Sequence, residues 1–289
     1  MDIGICVSYW LKHNLSNPRL YMEGILMKSY VLFAILVFFG FGCLILSSDA
    51  AFDPETLVGA WLFDEGNGKT VGDASGNDLD GILHDNPKWV DGQFGDALEF
   101  NGSSSYVEIP AHANPQEAIT VSIWVKSNAA AWNQHGWFVE KRNAYIVHPN
   151  VDTKVVAWAV CNGGCWNKPG GWNDRSVGPN DITEWHMYTT TFDSNTGEWF
   201  IYIDAEVASE MVINKTPLDA DNGPVFIGRD TCCAGRFGNA MVDEVAIFSV
   251  ALEQKDIESL MKNGLSDSVL NVEAEGKMTT TWGNVKTRY

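Results

Sequence analysis

The sequence predicts an all-β fold: two antiparallel sheets packed as a sandwich, with one short C-terminal helix. Three observations carry this reading. Short runs of alternating residues recur along the chain, rich in β-branched and aromatic side chains. Clusters of Gly, Asn, Asp and Ser separate the runs, and these are the residues tight turns need. Twelve Trp and 27 Gly, with little helical periodicity, point the same way.

The runs follow in order. LVGAWLF (57–63) comes first, followed by the turn-forming DEGNGK and DASGND. YVEI (106–109) follows the NGSSS turn, and ITVSIWVK (119–126) and KVVAWAV (154–160) come next. WHMYTTTF (185–192) and EWFIYI (198–203) flank DSNTG, which makes a hairpin with its turn over residues 193–197. PVFIG (224–228) closes the series. A helix is expected over residues 253–262, where Ile257, Leu260 and Met261 share a face and Gly264 stands at the C-terminal cap. No repeat with a period of 20–50 residues is present, which argues against a solenoid.

A hydrophobic content of 45% supplies enough apolar surface for one large core or two small ones. The net charge of -18 argues against a nucleic-acid partner, because phosphates would be repelled rather than neutralised. It suits a soluble extracellular protein, and it suits calcium, which prefers oxygen ligands. Residues 1–26 read as a leader from an upstream start, since Met27 and Lys28 open an ordinary export signal. Residues 27–50 read as a signal peptide or uncleaved N-terminal anchor, with an uncharged apolar run over 30–46 and small residues Ser48 and Ala50 before the cut. The chain is therefore expected to be secreted or on the cell surface, with membrane contact only through that segment. Residues 51–264 form the domain, and 265–289 a polar tail.

Four cysteines follow the signal: Cys161, Cys165, Cys232 and Cys233. Export permits disulfides, and three connectivities are open. Local pairing needs a tight 161–165 loop and a bond between neighbours 232 and 233. Cross-pairing ties the two loops together. Cys232 and Cys233 read as adjacent strand residues whose side chains point apart, so at least one should be free to reach outward. A zinc knuckle is disfavoured, because adjacent cysteines are poorly placed around one tetrahedral ion.

The stretch from LVGAWLFDEGNGKTVGDASGNDLDG to NGSSSYVEIP resembles the opening of LamG-like jelly-roll domains of the concanavalin A-like lectin/glucanase fold. The likeness continues through ITVSIWVK, EWHMYTTTFD, PVFIGRD and FGNAMVDEVAIFSVALEQKDIESLMKNG. It implies a jelly-roll sandwich closed by a short helix, serving adhesion or the binding of carbohydrate or protein. It also implies a structural calcium, held by Asp73, Asn77, Asp243 and main-chain oxygens at Asn101 and Gly102. From the residues alone, Asp73 could instead make an Asx turn and Asp243 cap a strand end. One departure from the family is Asp204-Ala205 where Asn-Gly is usual, so that hairpin is expected to use another turn geometry.

Catalysis by paired carboxylates is not expected. No strand shows Glu-x-Asp-x-Glu; Glu140 stands alone, Asp64 and Glu65 begin a turn, and the acids of VDEV should face opposite ways. The mature histidines show no metal-binding spacing, and His186 reads as structural. The sulfur-rich CNGGCWNKPGGWNDR and DTCCAGRFG instead suggest a binding rim. Trp166, Trp172, Arg175, Arg229 and Arg236 would present stacking faces and donors to a glycan or other cell-surface ligand. Either Trp could also complete the core. The reading is a non-catalytic, disulfide-braced binding module; a glycoside hydrolase or lyase of the same fold, or a protein-binding adhesion module, are the alternatives.

Overall fold

The computed structural model describes residues 52–163, 166–167 and 178–270. Residues 1–51, with the apolar run and its cleavage site, lie outside the described residues, as do Cys165, Trp172 and Arg175. Among the described residues the early strands are β1 (Leu57–Trp61), β2 (Thr70–Val71), β3 (Gly81–His84), β4 (Lys88–Asp91), β5 (Asp96–Glu99) and β6 (Tyr106–Ile109). The middle of the chain forms β7 (Ala118–Ser127), β8 (Val139–Lys141), β9 (Tyr145–Pro149), β10 (Val156–Cys161) and β11 (Trp166–Asn167). β12 (His186–Asp193), β13 (Glu198–Ile203), β14 (Glu206–Val212), β15 (Val225–Ile227) and β16 (Ala240–Phe248) complete the strands, before helix α1 (Gln254–Leu270).

The strands form two antiparallel sheets. The first runs β14-β13-β12-β7-β16-β5-β4, with β1 also paired to β16. The second runs β11-β10-β9-β8-β15-β6-β3-β2. This is the expected jelly-roll sandwich. β7 shows why alternation produces it: Ile119, Val121, Ile123 and Val125 enter the inter-sheet core, while Thr120, Ser122 and Trp124 face the other way. The core between the sheets is aromatic, with Trp61, Trp137, Phe138, Trp158 and Tyr188 fully buried.

α1 covers the outer face of the first sheet. Ile257, Leu260 and Leu265 pack with Phe52, Trp124, Met187 and Phe248 in a second apolar cluster. Thr120 ties the approach to the helix, accepting from Leu252 N at 2.9 Å and donating to Val250 O at 2.7 Å. Gly264 takes φ 72°, as a cap glycine should, but the chain resumes helical geometry beyond it as far as Leu270. The segment after Gly264 is thus anchored at its start. Leu265 is buried, and its N–H donates to Glu244 Oε1 at 2.9 Å.

One turn and one strand differ from expectation. Asp204 and Ala205 both adopt positive φ, 52° and 62°, so this hairpin keeps the left-handed geometry that Asn-Gly favours. Asp204 makes that possible: its Oδ1 accepts from Met187 N at 3.0 Å, and its Oδ2 meets His186 Nδ1 at 2.6 Å. In β16, Asp243 and Glu244 do not alternate simply. The register shifts between Asp243 and Ala246, Glu244 takes φ 40°, and both carboxyls are buried.

Candidate binding pocket on the second sheet

The outward face of the second sheet is set by register. Phe226 lies opposite Glu108 on one side and Glu140 on the other, and Glu140 lies opposite Ile146. One row of side chains therefore crosses from β6 through β15 and β8 to β9. His148, two residues beyond Ile146, faces the same way. Beside this row lies a pocket of about 360 Å³, lined by His135, Arg142, Ile146, His148, Asn150 and Trp166 from one side. Asp230, Cys232 and Arg236 complete it from the loop after β15.

The wall is a network of charges. Arg142 Nη1 donates to Glu140 Oε1 at 2.8 Å and to Asp230 Oδ1 at 3.1 Å. Arg236 Nη1 donates to the other oxygen of Asp230. Main-chain donors add to both acids: Thr231 N–H to Glu140 Oε2 and Cys232 N–H to Asp230 Oδ1, each at 2.7 Å. Glu140 is wholly buried and Asp230 is 2% exposed. Burial pushes the Glu140 carboxyl above its usual range, against the pull of Thr231 and Arg142. The arginines are only partly covered. The bonds described use Nη1 of each, leaving further N–H donors on both guanidinium groups.

The ring-bearing side of the pocket is less polar. The Arg142 guanidinium lies 5.2 Å from the Trp166 ring centroid. His135 and His148 lie 5.4 Å apart with their rings tilted by 36°. Burial, then repulsion from its neighbours, lowers His148 to about 4, and burial with Arg236 also lowers His135. Both imidazoles are therefore neutral near pH 7. The turn beside Asp230 needs a glycine. Gly136 takes φ 72°, and a Cβ there would lie 2.5 Å from Asp230 Oδ2.

The structure sorts the residues singled out in the sequence. Trp166 and Arg236 meet at the pocket. Arg229 is directed elsewhere, over the rings of Tyr106, Phe226 and Phe237 at 4.7 to 5.7 Å. Cys232 and Cys233 sit on a turn rather than a strand, both exposed, with Sγ atoms 2.9 Å apart; their side chains converge instead of pointing apart. Cys161 closes β10 opposite Trp166. Sequence reasoning missed Asp230, His135 and His148, and it treated Glu140 as a lone acid.

The residues expected to hold calcium all have hydrogen-bond partners in the fold. Asp73 makes the Asx turn: its oxygens accept from Ala60 N, Ser75 N, Ser75 Oγ and Leu79 N between 2.8 and 3.1 Å. Asn77 donates to Leu57 O and Val58 O. Gly102 donates to Gly238 O, and Asp243 accepts from Gln93 N, Phe94 N and Glu244 N. Each is held by its own partners. Among the described residues, no three His, Cys, Asp or Glu side chains gather as a metal-binding group.

Comparisons with known proteins agree with this architecture. Domain 4 of AbnA, a GH43 extracellular arabinanase from Geobacillus stearothermophilus solved with arabinotriose, aligns with TM-score 0.55 and 18% identity. That alignment covers 72% of this chain and 98% of the arabinanase domain. The binding domain of Paraclostridial mosquitocidal protein 1 aligns with TM-score 0.57 and 15% identity, over 72% of this chain and 52% of its own. The binding domain of botulinum neurotoxin DC in complex with SialylT gives TM-score 0.54 and 14% identity, over 72% and 51%. The chain thus spans about half the length of the toxin binding domains, and at these identities the likeness is one of fold. No curated protein matches the chain in sequence. The model of the concanavalin A-like lectin/glucanases superfamily matches residues 101–258, more than half of the sequence, and the chain belongs to that family.

Proposed function

We propose that the protein is a non-catalytic binding module whose pocket on the second sheet receives a carbohydrate. The observation that carries the reading is the pocket's composition: guanidinium donors with uncommitted N–H groups, two neutral imidazoles and a Trp ring beside a short apolar floor. Sugars present hydroxyls in fixed directions and apolar C–H faces, and mixed walls of this kind suit both. The arabinanase domain solved with arabinotriose and the toxin domain solved with SialylT lend support through a shared fold. The apolar run before residue 51 supports export, which would bring such a module to extracellular glycans.

Glu140 and Asp230 bear on the enzymatic alternative, since two carboxylates beside a pocket are what a glycosidase uses. Here each of their oxygens is capped by Arg, Thr or main-chain donors, and neither acid is exposed. Their chemistry is to hold the arginines. A glycan array with and without calcium, including arabinotriose and sialylated trisaccharides, tests the reading. Trp166→Ala should weaken a captured glycan about tenfold or more without lowering the thermal midpoint. Polysaccharide cleavage that Glu140→Gln abolishes would replace binding by hydrolysis. A blank array with capture of a protein ligand would favour the adhesion alternative.

A further inference from the structure

Cys232 and Cys233 occupy the turn that completes the pocket wall, and Cys232 lines the pocket itself. Their sulfurs are in contact at 2.9 Å, and both residues are exposed to solvent and to small reagents. The same turn carries the N–H groups of Thr231 and Cys232, which bind Glu140 and Asp230. A covalent change here therefore acts directly on the network that places Arg142 and Arg236.

We propose that Cys232 and Cys233 are a redox modification site: they close a vicinal disulfide at the pocket rim, and the closed ring stiffens the turn. The partner is a second disulfide, either a small molecule such as glutathione disulfide or an oxidoreductase. One cysteine thiolate attacks that disulfide, forming a mixed disulfide and expelling one thiol. The neighbouring thiolate then displaces the second thiol and closes the ring. Two S–H bonds and one foreign S–S bond are lost, one new S–S bond forms, and the two electrons and two protons leave on the two released thiols.

Position favours this pairing over a cross-link to Cys161. Cys161 is fixed in the ladder, its N–H on Ala144 O and its carbonyl accepting from Asp219 N at 2.7 Å each. Cys232 and Cys233 lie on one exposed turn with their sulfurs already in contact. A ring spanning one peptide bond is constrained, so it should be more easily reduced than an ordinary structural disulfide. The hydrogen bond with Cys233, then burial, holds the Cys232 thiol above its ordinary range, so closure should quicken as pH rises above neutral. This inference goes beyond the carbohydrate reading and stands without it.

The test uses the full chain treated with glutathione disulfide or with a reductant, alkylated, digested and mapped by mass spectrometry. The oxidised sample should yield a Cys232–Cys233 peptide about 2 Da lighter than its reduced form and closed to alkylation. Amide exchange at residues 231–233 should slow about fivefold or more on oxidation, because opening the turn exposes both N–H groups. Cys161→Ser should keep both effects, and Cys232→Ser/Cys233→Ser should lose both. Quantitative alkylation of either cysteine in the oxidised sample overturns the proposal, as does a bond from either to Cys161 or Cys165. Exchange at 231–233 that ignores the redox state overturns the stiffening.

Discussion

Glu140 and Asp230, ninety positions apart, share one donor: Arg142 Nη1 reaches Glu140 Oε1 at 2.8 Å and Asp230 Oδ1 at 3.1 Å. Asp230 then passes the link to Arg236. Removing the central acid leaves Arg236 without its ion-pair partner and Arg142 with Glu140 alone, a costlier change than losing a surface ion pair. Asp230→Asn should destabilise the fold by about 2–4 kcal/mol. Urea denaturation would check this, and an unchanged midpoint would mean that the network contributes little.

Gly136 tests the same network sterically. A methyl group there meets Asp230 Oδ2 at 2.5 Å and His148 Cδ2 at 3.0 Å, on a backbone at φ 72°. Gly136→Ala should cost about 2 kcal/mol or more, because a left-handed penalty adds to displacement of a buried carboxylate. Thermal unfolding is the measurement, and a loss below about 0.5 kcal/mol would show that the loop yields freely.

Ala205 offers the opposite sign. Its φ of 62° strains an L-residue, while its carbonyl contact with Gln254 Nε2 does not depend on the side chain. Ala205→Gly should stabilise the protein by about 0.5 kcal/mol, the left-handed strain relieved less the extra chain entropy of glycine. A lowered midpoint would show that the buried methyl outweighs the strain.

The Asp243–Glu244 pair predicts a pH dependence. Burial first, then repulsion from Asp64, raises Asp243 to about 7, and burial, then repulsion from Asp243 and Asp64, raises Glu244 to about 8. The folded state thus holds protons that the unfolded chain releases near pH 4, and stability falls as pH rises from there towards 8. His186, raised by its bond to Asp204, adds a loss of the same sign above the ordinary histidine range. Glu244→Gln should match the wild type near pH 4 and exceed it by about 2 kcal/mol at pH 8.5. Parallel denaturation curves at those two pH values check it; equal gains at both would remove titration as the cause.

Local chemistry was readable in the sequence wherever the contact partners were close in the chain. The 193–197 hairpin formed as its turn residues require, with Gly197 at φ 76° and its N–H on Asp193 O. The apolar face Ile257, Leu260 and Met261 did seat the helix. The pocket was harder to see, because it depends on long-range register. Only the pairing of Phe226 with Glu140 brings the loop carrying Asp230 beside β8, and no local spacing encodes that alignment. Ala205 misled for another reason: tertiary bonds from Asp204 impose a backbone that alanine alone disfavours.

The pairing of β1 with β16 sets an order on synthesis. Leu57 faces Phe248 and Trp61 faces Val245, so the first strand of the domain is completed by its last. A chain emerging from the ribosome keeps Leu57 and Trp61 without these partners until nearly the whole domain has been made. Closure of the first sheet is then a late event, and apolar surface at its opening stays exposed throughout translation. A chaperone that recognises short apolar strands would meet this protein at β1, and would release it only once β16 had arrived.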